Sequence, residues 1–218
     1  MRWVLLPDLT GKGVFITGAA GGIGRILVDA FLSTGASVTA TDISDDGLND
    51  LAAIHAGDRL RVRVLDVGSS LDCQGAINEA GQVDILINNA YIPVDQNALF
   101  MAWCKTNKDK AKLCVNISSQ IASAEDPSKF ATEQYYIDKK YMDEQSVEIN
   151  KNHWKCKVSL ISPNITKSNL SELNLATGPF KKWVENLYST HEKNGTLIKE
   201  ESISNCVKYI IESWLEGT

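Results

Sequence analysis

Several features of other protein classes are missing from this 218-residue sequence. No apolar run approaches the roughly 20 residues of a membrane-spanning helix, and the start lacks the small-residue cleavage site of a secretory signal. The histidines, His55, His153 and His191, stand far apart without metal-ligand spacing, so we expect no metal site. The net charge of −5 disfavours nucleic acid and anionic membranes as partners.

Cysteine usage indicates a reducing compartment. The chain has five widely spaced cysteines, an odd count, and no C-x-x-C pair. Disulfide frameworks and structural zinc sites use even or closely spaced sets. We therefore expect reduced thiols and a cytoplasmic protein.

What the sequence does contain is a regular alternation of short, β-branched segments with helical patterns. Six segments have the composition of strands, and they are 14–17, 36–42, 59–67, 83–90, 112–119 and 156–164. Helical patterns lie between them, including one over about 131–150. This alternation predicts an α/β fold with a doubly wound, Rossmann-like parallel sheet in three layers. The length and a hydrophobic content of 44% favour a single domain over 1–218.

The stretch TGAAGGIG, 17–24, follows the first predicted strand and opens the first predicted helix. Gly18 permits a sharp turn, Gly22 removes the side chain that would block a pyrophosphate, and Gly24 lets helix and strand pack closely. The helix N-terminus then offers N–H groups and a positive dipole end to phosphates. Such a turn also occurs as a plain strand–helix connection, so it needs support from other features.

Asp42 supplies that support, because it ends the second predicted strand 18 residues after Gly24. A carboxylate there can bond both ribose hydroxyls and repels a 2′-phosphate, which favours NAD over NADP. Arg25, one residue into the helix, is expected to point elsewhere. The two features together predict a dinucleotide-binding domain with NAD as its cofactor.

EQYYIDKK, 133–140, contains two overlapping pairs, Tyr135 with Lys139 and Tyr136 with Lys140. Residues four apart share a helix face, so either lysine ammonium can lie near a phenol. A free phenol has a pKa of about 10, too high for an efficient base at neutral pH, and a nearby ammonium lowers it. Either pair is therefore a candidate for proton transfer, and an ordinary polar helix is the alternative.

Six short motifs occur in order along the chain: T-G-x-x-x-G-I-G at 17–24, D-V at 66–67, N-N-A at 88–90, N-I-S-S at 116–119, Y-x-x-x-K at 135–139 and I-S-P at 161–163. Together they resemble the short-chain dehydrogenase/reductase family over nearly the whole chain. The resemblance implies an NAD-dependent oxidoreductase that transfers a hydride between nicotinamide and a small alcohol or carbonyl substrate, with a tyrosine as general acid–base.

The resemblance also implies roles for individual residues. Ser119 would bond the substrate oxygen, Tyr135 would be the general acid–base, and Lys139 would hold the nicotinamide ribose and lower the pKa of the tyrosine. Asp66 and Val67 would border the adenine. The remaining implied cofactor contacts are Ile23, Asn88, Ala90, Pro163 and Ser168.

The register with Tyr135 is favoured over the register with Tyr136. In the family the residue two after the tyrosine is small or apolar, and choosing Tyr135 places Ile137 there. The paired lysine then has Met142 and Ile149 at +3 and +10, on one apolar stripe of the helix. The alternative register puts polar residues at all three positions.

Several positions depart from the family pattern. Tyr91 replaces the glycine of N-N-A-G, and we expect it to narrow or line the substrate cleft. The stretch 90–116 is much shorter than in the family, so Asn97, with Asn107 as the weaker alternative, is the candidate for the asparagine that anchors a proton-relay water. This shortening leaves a homodimer, rather than the usual tetramer, as the candidate assembly. The family's last strand is expected to be absent.

The segment 165–199 is expected to supply small substrate-binding helices. Two other functions stay open. One is a catalytically eroded dinucleotide sensor or interaction protein. The other is a sugar-nucleotide epimerase or dehydratase, which uses the same tyrosine and lysine but needs a larger C-terminal substrate domain.

Overall fold

A six-stranded parallel sheet organises the residues that the computed structural model describes, which are 7–55, 57–92, 97–123, 133–163 and 200–217. The strands, in the sheet order β3-β2-β1-β4-β5-β6, are β1 (Gly13–Thr17), β2 (Ser37–Asp42), β3 (Leu60–Val64), β4 (Ile85–Asn88), β5 (Leu113–Ile117) and β6 (Lys157–Ile161). The helices are α1 (Gly22–Ser33), α2 (Asp45–Ile54), α3 (Ser70–Ala80), α4 (Asn97–Thr106), α5 (Glu133–Lys151) and α6 (Glu200–Glu216), with a 3₁₀ turn at Gln120–Ser123.

The central strands are buried along their whole length. Every residue of β1, β4 and β5 is buried, and their sequences GVFIT, ILIN and LCVNI are almost continuously apolar. A parallel strand covered on both faces requires such a run rather than an alternating pattern. The edge strand β3 differs, because all five of its residues are partly or fully exposed.

Two helical layers cover the two faces of the sheet. Buried residues of α1, α2 and α6 form one apolar cluster with the sheet, to which Phe31, Leu51 and Ile211 belong. Buried residues of α3, α4 and α5 form a second cluster, which includes Phe100 and Met142. The predicted three-layer, doubly wound α/β fold is therefore confirmed.

The strand order places a switch point between β1 and β4. The chain runs outward from β1 through β2 to β3, then returns to the other side of β1 and continues through β4, β5 and β6. Connections on the two sides leave the sheet over opposite faces, so a crevice opens at the carboxyl ends of β1 and β4. The fold thus positions a ligand site at the glycine-rich turn.

Within the described residues, β6 is the outermost strand on its side of the sheet. The amide of Asn150 at the end of α5 pairs with the outer edge of this strand. Its Nδ2 donates to the Val158 carbonyl oxygen at 2.7 Å, and its Oδ1 accepts from the Val158 N–H at 3.0 Å. A single side chain thereby satisfies two backbone groups of an edge strand.

The described ranges contain no helix that is long and apolar enough to cross a membrane. Over the same ranges, no group of three or more His, Cys, Asp or Glu side chains has an arrangement that could hold a metal ion. The predicted substrate-binding segment 165–199 and Ser168 lie outside the described residues.

Candidate active site

A cleft of about 610 Å³ lies at the carboxyl ends of β1, β4 and β5. Its walls come from the glycine-rich turn, the end of β2, the loop after β4, the end of β5 and one face of α5. Most of the sequence-predicted site residues line it: Gly18, Gly22, Ile23, Gly24, Asp42, Asp66, Val67, Ala90, Ser119, Tyr135, Lys139 and Pro163. Residues from distant parts of the chain therefore meet in one cavity.

The glycine-rich turn is tightly packed at two positions. Gly18 has φ +64°, and a Cβ there would lie 2.9 Å from both the Ala90 Cα and the Asn89 Nδ2. A Cβ at Gly24 would collide with the Gly18 carbonyl oxygen. Only glycine fits at either place. The N-cap of α1 is Gly21, which has no side chain to satisfy the first helical N–H groups.

Asn89 fastens the β4 loop to this turn, a role that its sequence position alone did not predict. Its Nδ2 donates to the carbonyl oxygens of Thr17 and Gly18, at 2.9 Å each. The Thr17 hydroxyl in return accepts from the N–H groups of Asn89 and Ala90, at 3.0 Å each. The sequence feature that could have indicated this role is the place of Asn89 as the middle residue of N-N-A.

Asp42 stands at the end of β2 with both carboxylate oxygens already engaged. Oδ2 accepts from the Ala20 N–H at 2.9 Å, and Oδ1 accepts from the Ser44 N–H at 3.0 Å. These bonds fix the carboxylate in the cleft wall beside the glycine-rich turn. Each oxygen has further lone-pair capacity for hydroxyl donors.

Arg25 lines the same end of the cleft, so the expectation that it points elsewhere is wrong. Its Nε donates to the Ala20 carbonyl oxygen at 2.8 Å, and its Nη2 donates to the Gly47 carbonyl oxygen at 3.1 Å. The two carbonyls come from separate segments, and together they fix the guanidinium at the cleft wall that Asp42 also lines. A cation and a carboxylate therefore share this wall.

Tyr135 and Lys139 lie on the inward face of α5. Lys139 is 3% exposed, and its ammonium donates to the Ile117 carbonyl oxygen at 2.8 Å. Met142, Ser146 and Ile149 continue the buried stripe along the helix. The apolar stripe expected for this register is therefore present in the structure.

Tyr136 and Lys140 form the other pair on a different face. The Lys140 ammonium is exposed and donates to the Tyr136 hydroxyl at 3.1 Å. Neither residue lines the cleft. The two overlapping patterns thus have separate surroundings. Lys139 is buried in the cleft wall beside Tyr135, whereas Lys140 is exposed and the half-buried Tyr136 lies outside the cleft.

Burial dominates the titration of the inward pair. Desolvation lowers the pKa of Lys139 to about 8, against the opposing effect of the Asp143 and Asp138 carboxylates. Desolvation also raises the pKa of Tyr135, and its hydrogen bond with Ser119 works in the other direction. Both groups are thereby shifted toward their neutral forms.

Tyr91 packs directly against this pair. Its ring and the ring of Tyr135 have centroids 4.8 Å apart and planes at 78°. Its hydroxyl donates to Asp138 Oδ2 at 3.2 Å. The expectation that Tyr91 lines the cleft matches its position in the wall.

Of the three asparagines with predicted roles, Asn88 and Asn107 do not line the cleft. The side chain of Asn88 is buried and donates to Asn116 Oδ1 at 3.1 Å, and Asn116 in turn donates to the Ser146 hydroxyl at 2.8 Å. It braces β4, β5 and α5 from within the core rather than lining the cleft. Asn107 ends α4 by donating to the Trp103 carbonyl oxygen at 2.8 Å, away from the cleft. The side chain of Asn97 lies outside the described residues.

The fold and the cleft define a protein of the Rossmann-like, doubly wound α/β class. The sequence profile of the family described as short chain dehydrogenase matches residues 12–129, more than half of the chain. The chain belongs to this family.

Curated relatives match over limited regions. The chain is 41% identical over 92 residues to 3beta-hydroxysteroid dehydrogenase 2 of Eggerthella lenta, which covers 39% of this chain and 35% of the relative. It is 39% identical over 88 residues to D-threitol dehydrogenase of Mycolicibacterium smegmatis, covering 38% of this chain and 34% of the relative. The chain thus spans about a third of the length of these relatives.

Solved structures resemble the chain over nearly all of its length. A short chain dehydrogenase/reductase from Burkholderia phymatum in complex with NAD has a TM-score of 0.78 at 16% identity, covering 94% of this chain and 87% of the other. A 3-ketoacyl-(acyl-carrier-protein) reductase from Brucella melitensis complexed with NADH has a TM-score of 0.74 at 19% identity, covering 93% and 91%. At these identities the likeness shows the fold.

Proposed function

We propose that the chain is an NAD-dependent oxidoreductase that transfers a hydride between nicotinamide and a small alcohol or carbonyl substrate. The observation that carries this proposal is the meeting of Ser119, Tyr135 and Lys139 in the same cleft as the glycine-rich turn and Asp42. The two halves of the cleft serve the two needs of the reaction, a bound dinucleotide and a proton at the substrate oxygen.

The residues on the nucleotide side fit a dinucleotide. Gly18 and Gly24 leave no side chains over the turn, and the first N–H groups of α1 suit a pyrophosphate. Asp42 has acceptor capacity for ribose hydroxyls. Asp66, Val67, Ile23, Ala90 and Pro163 complete this wall. The complexes of the two structural neighbours with NAD and NADH support the choice of cofactor.

The residues on the substrate side carry the proton. The bound nicotinamide supplies the hydride chemistry itself. Ser119 hydrogen-bonds Tyr135 and would steady negative charge on the substrate oxygen. The Tyr135 hydroxyl would give its proton to that oxygen in reduction and take it back in oxidation. Lys139 would hold the nicotinamide ribose, and in its protonated form it would favour the phenolate of Tyr135.

A second candidate is a dinucleotide sensor or interaction protein without turnover. The pKa directions favour it, because burial raises the pKa of Tyr135 and lowers that of Lys139, whereas catalysis needs the opposite shift of the tyrosine. A positively charged oxidised nicotinamide in the cleft would favour the phenolate. Both candidates bind the dinucleotide, and only the oxidoreductase then transfers a hydride to a substrate.

Calorimetric titration of the purified chain with NADH, with NADPH as control, tests the cofactor site first. We expect NADH to bind more tightly. A panel of aldehydes, ketones and cyclic diols, monitored by NADH absorbance, then tests turnover. Binding without hydride transfer to any compound would favour the sensor, and binding of neither nucleotide would contradict both candidates.

The proposal also includes the assembly and the compartment. We propose a homodimer, which sedimentation at several protein concentrations would test. The five cysteines, all free thiols, are compatible with the reducing cytoplasm.

A further inference from the structure

Tyr91 is an aromatic side chain that the mechanism above does not use, although it lies against the residues that would move the proton. It directly follows N-N-A, in the loop after β4. Its ring meets Tyr135 with centroids 4.8 Å apart and planes at 78°. This edge-to-face geometry is the favourable arrangement of two aromatic quadrupoles. The loop therefore contacts the Tyr135 ring, whose hydroxyl must be correctly placed for the proposed proton transfer.

A hydrogen bond ties the same side chain to α5. The Tyr91 hydroxyl donates to Asp138 Oδ2 at 3.2 Å, and the other oxygen of Asp138 accepts from Gln134 Nε2 at 2.7 Å. Asp138 stands in the single helical turn between Tyr135 and Lys139. The tether thus reaches the turn that carries both members of the pair.

The Lys139 ammonium completes this cluster. It lies 5.3 Å from the centroid of the Tyr91 ring and 5.7 Å from that of Tyr135, within the range of cation–π attraction. Since the ammonium also donates to the Ile117 carbonyl, its position is fixed from two directions. The glycine that the family pattern has at this position could make none of these side-chain contacts.

We propose that Tyr91 is a positioning residue for the Tyr135–Lys139 pair, holding the Tyr135 ring by edge-to-face contact and tying the β4 loop to their helical turn through Asp138. This inference rests on the proposed function, because it assigns Tyr91 to the same reaction. Tyr91 acts through Tyr135 and need not touch the reacting atoms.

Tyrosine NMR tests the contact without any turnover. In protein labelled with ¹³C-tyrosine, the Tyr135 resonances are assigned by Tyr135→Phe. Tyr91→Ala should shift them, because the neighbouring ring current is lost, while Tyr91→Phe should leave them close to the wild-type position. Tyr141→Phe removes an exposed hydroxyl of the same helix and serves as the control. Unchanged Tyr135 resonances in Tyr91→Ala would overturn the proposal.

Kinetics test the consequence, with NADH and the substrate that the carbonyl panel identifies. Misplacing a reacting group costs up to about 100-fold, so we expect Tyr91→Ala to lower kcat about tenfold or more while NADH affinity stays within about twofold. Tyr91→Phe and Asp138→Ala should each lower kcat. The double variant should have the same kcat as either single variant, because both substitutions remove the same Tyr91–Asp138 hydrogen bond. Asp138→Asn keeps an acceptor oxygen for the Tyr91 hydroxyl, so it should preserve the wild-type kcat.

The outcomes separate this inference from the proposed function. Additive effects of Tyr91→Phe and Asp138→Ala would overturn the tether, as would a loss of NADH affinity with unchanged kcat. A wild-type protein that binds NADH but transfers no hydride would contradict the proposed function. In that case the Tyr135 resonances still decide whether Tyr91 positions the phenol.

Discussion

The Lys139 ammonium donates to the Ile117 carbonyl oxygen at 2.8 Å, so the end of β5 holds the lysine of α5 in place. Both partners are buried, and the hydrogen bond crosses from the sheet to the helix beside the cleft. A buried, hydrogen-bonded ammonium next to a phenol fits an acid–base pair, and the exposed Lys140 has no comparable setting.

We expect the two tyrosines of this helix to respond differently to loss of the hydroxyl. Tyr135→Phe removes the group that would exchange the proton and should lower kcat by about 100- to 10,000-fold, the range of general acid–base catalysis. NADH affinity should be retained. Tyr136→Phe is the matched control. The Tyr136 hydroxyl accepts from the exposed Lys140, outside the cleft, so its removal should leave kcat unchanged. Loss of activity in Tyr136→Phe alone would mean that the other register is the catalytic one.

Burial of Lys139 should make the stability of the protein depend on pH. Its folded-state pKa of about 8 lies below the ordinary 10.5, so the unfolded chain binds more protons between these values. The free energy of unfolding should therefore rise with pH through this window on account of this group, while below pH 8 the cost of burying the ammonium is fully present.

Lys139→Met should remove this pH dependence. Below pH 8 the variant gains up to about 3 kcal/mol from the avoided desolvation, and this advantage should shrink toward pH 10.5. The lost hydrogen bond to Ile117 offsets about 1 kcal/mol throughout. Urea unfolding across the window, with Lys140→Met as the control, measures the difference. Parallel stability curves for Lys139→Met and the wild type would contradict the prediction.

Asp42 and Arg25 should set the preference between NADH and NADPH in opposite directions. Asp42→Ala removes the carboxylate that repels a 2′-phosphate, so the ratio of NADPH to NADH dissociation constants should move toward one. Arg25→Ala should weaken NADPH binding in that background, because the guanidinium lies at the same wall. Calorimetry measures both ratios of dissociation constants. An unchanged ratio in Asp42→Ala would show that Asp42 does not discriminate between the ribose hydroxyl and the 2′-phosphate.

Local sequence patterns predicted the layout of the fold and of much of the cleft. β-branched runs located the strands to within a few residues, because fully buried parallel strands need apolar side chains throughout. The need for glycine at positions 18 and 24 could be predicted from the motif. The structure agrees, because a Cβ at either position would lie too close to neighbouring atoms. The apolar residues Met142 and Ile149 marked the inward face of α5.

Contacts between distant segments could not be predicted in the same way. The orientation of Arg25 depends on the Gly47 carbonyl, which another helix brings near it. Asn88 and Asn89 are adjacent and chemically identical, and only the end of β4 decides which one is buried in the core and which one reaches the glycine-rich turn. The tether from Tyr91 to Asp138 joins a loop to a helix, so it has no signature in either segment.

Asn150 should protect the outer edge of the sheet. Its amide satisfies the N–H and the carbonyl of Val158, so Asn150→Ala leaves two backbone groups of β6 without these partners and should cost about 1–3 kcal/mol of stability. Asn152→Ala is the matched control, because that amide donates to the exposed Glu148 carbonyl at a helix end rather than to a strand. An uncovered strand edge is a template for pairing with another chain, so Asn150→Ala should also increase self-association in sedimentation experiments. Equal stability and equal association for the two variants would mean that other residues cover this edge.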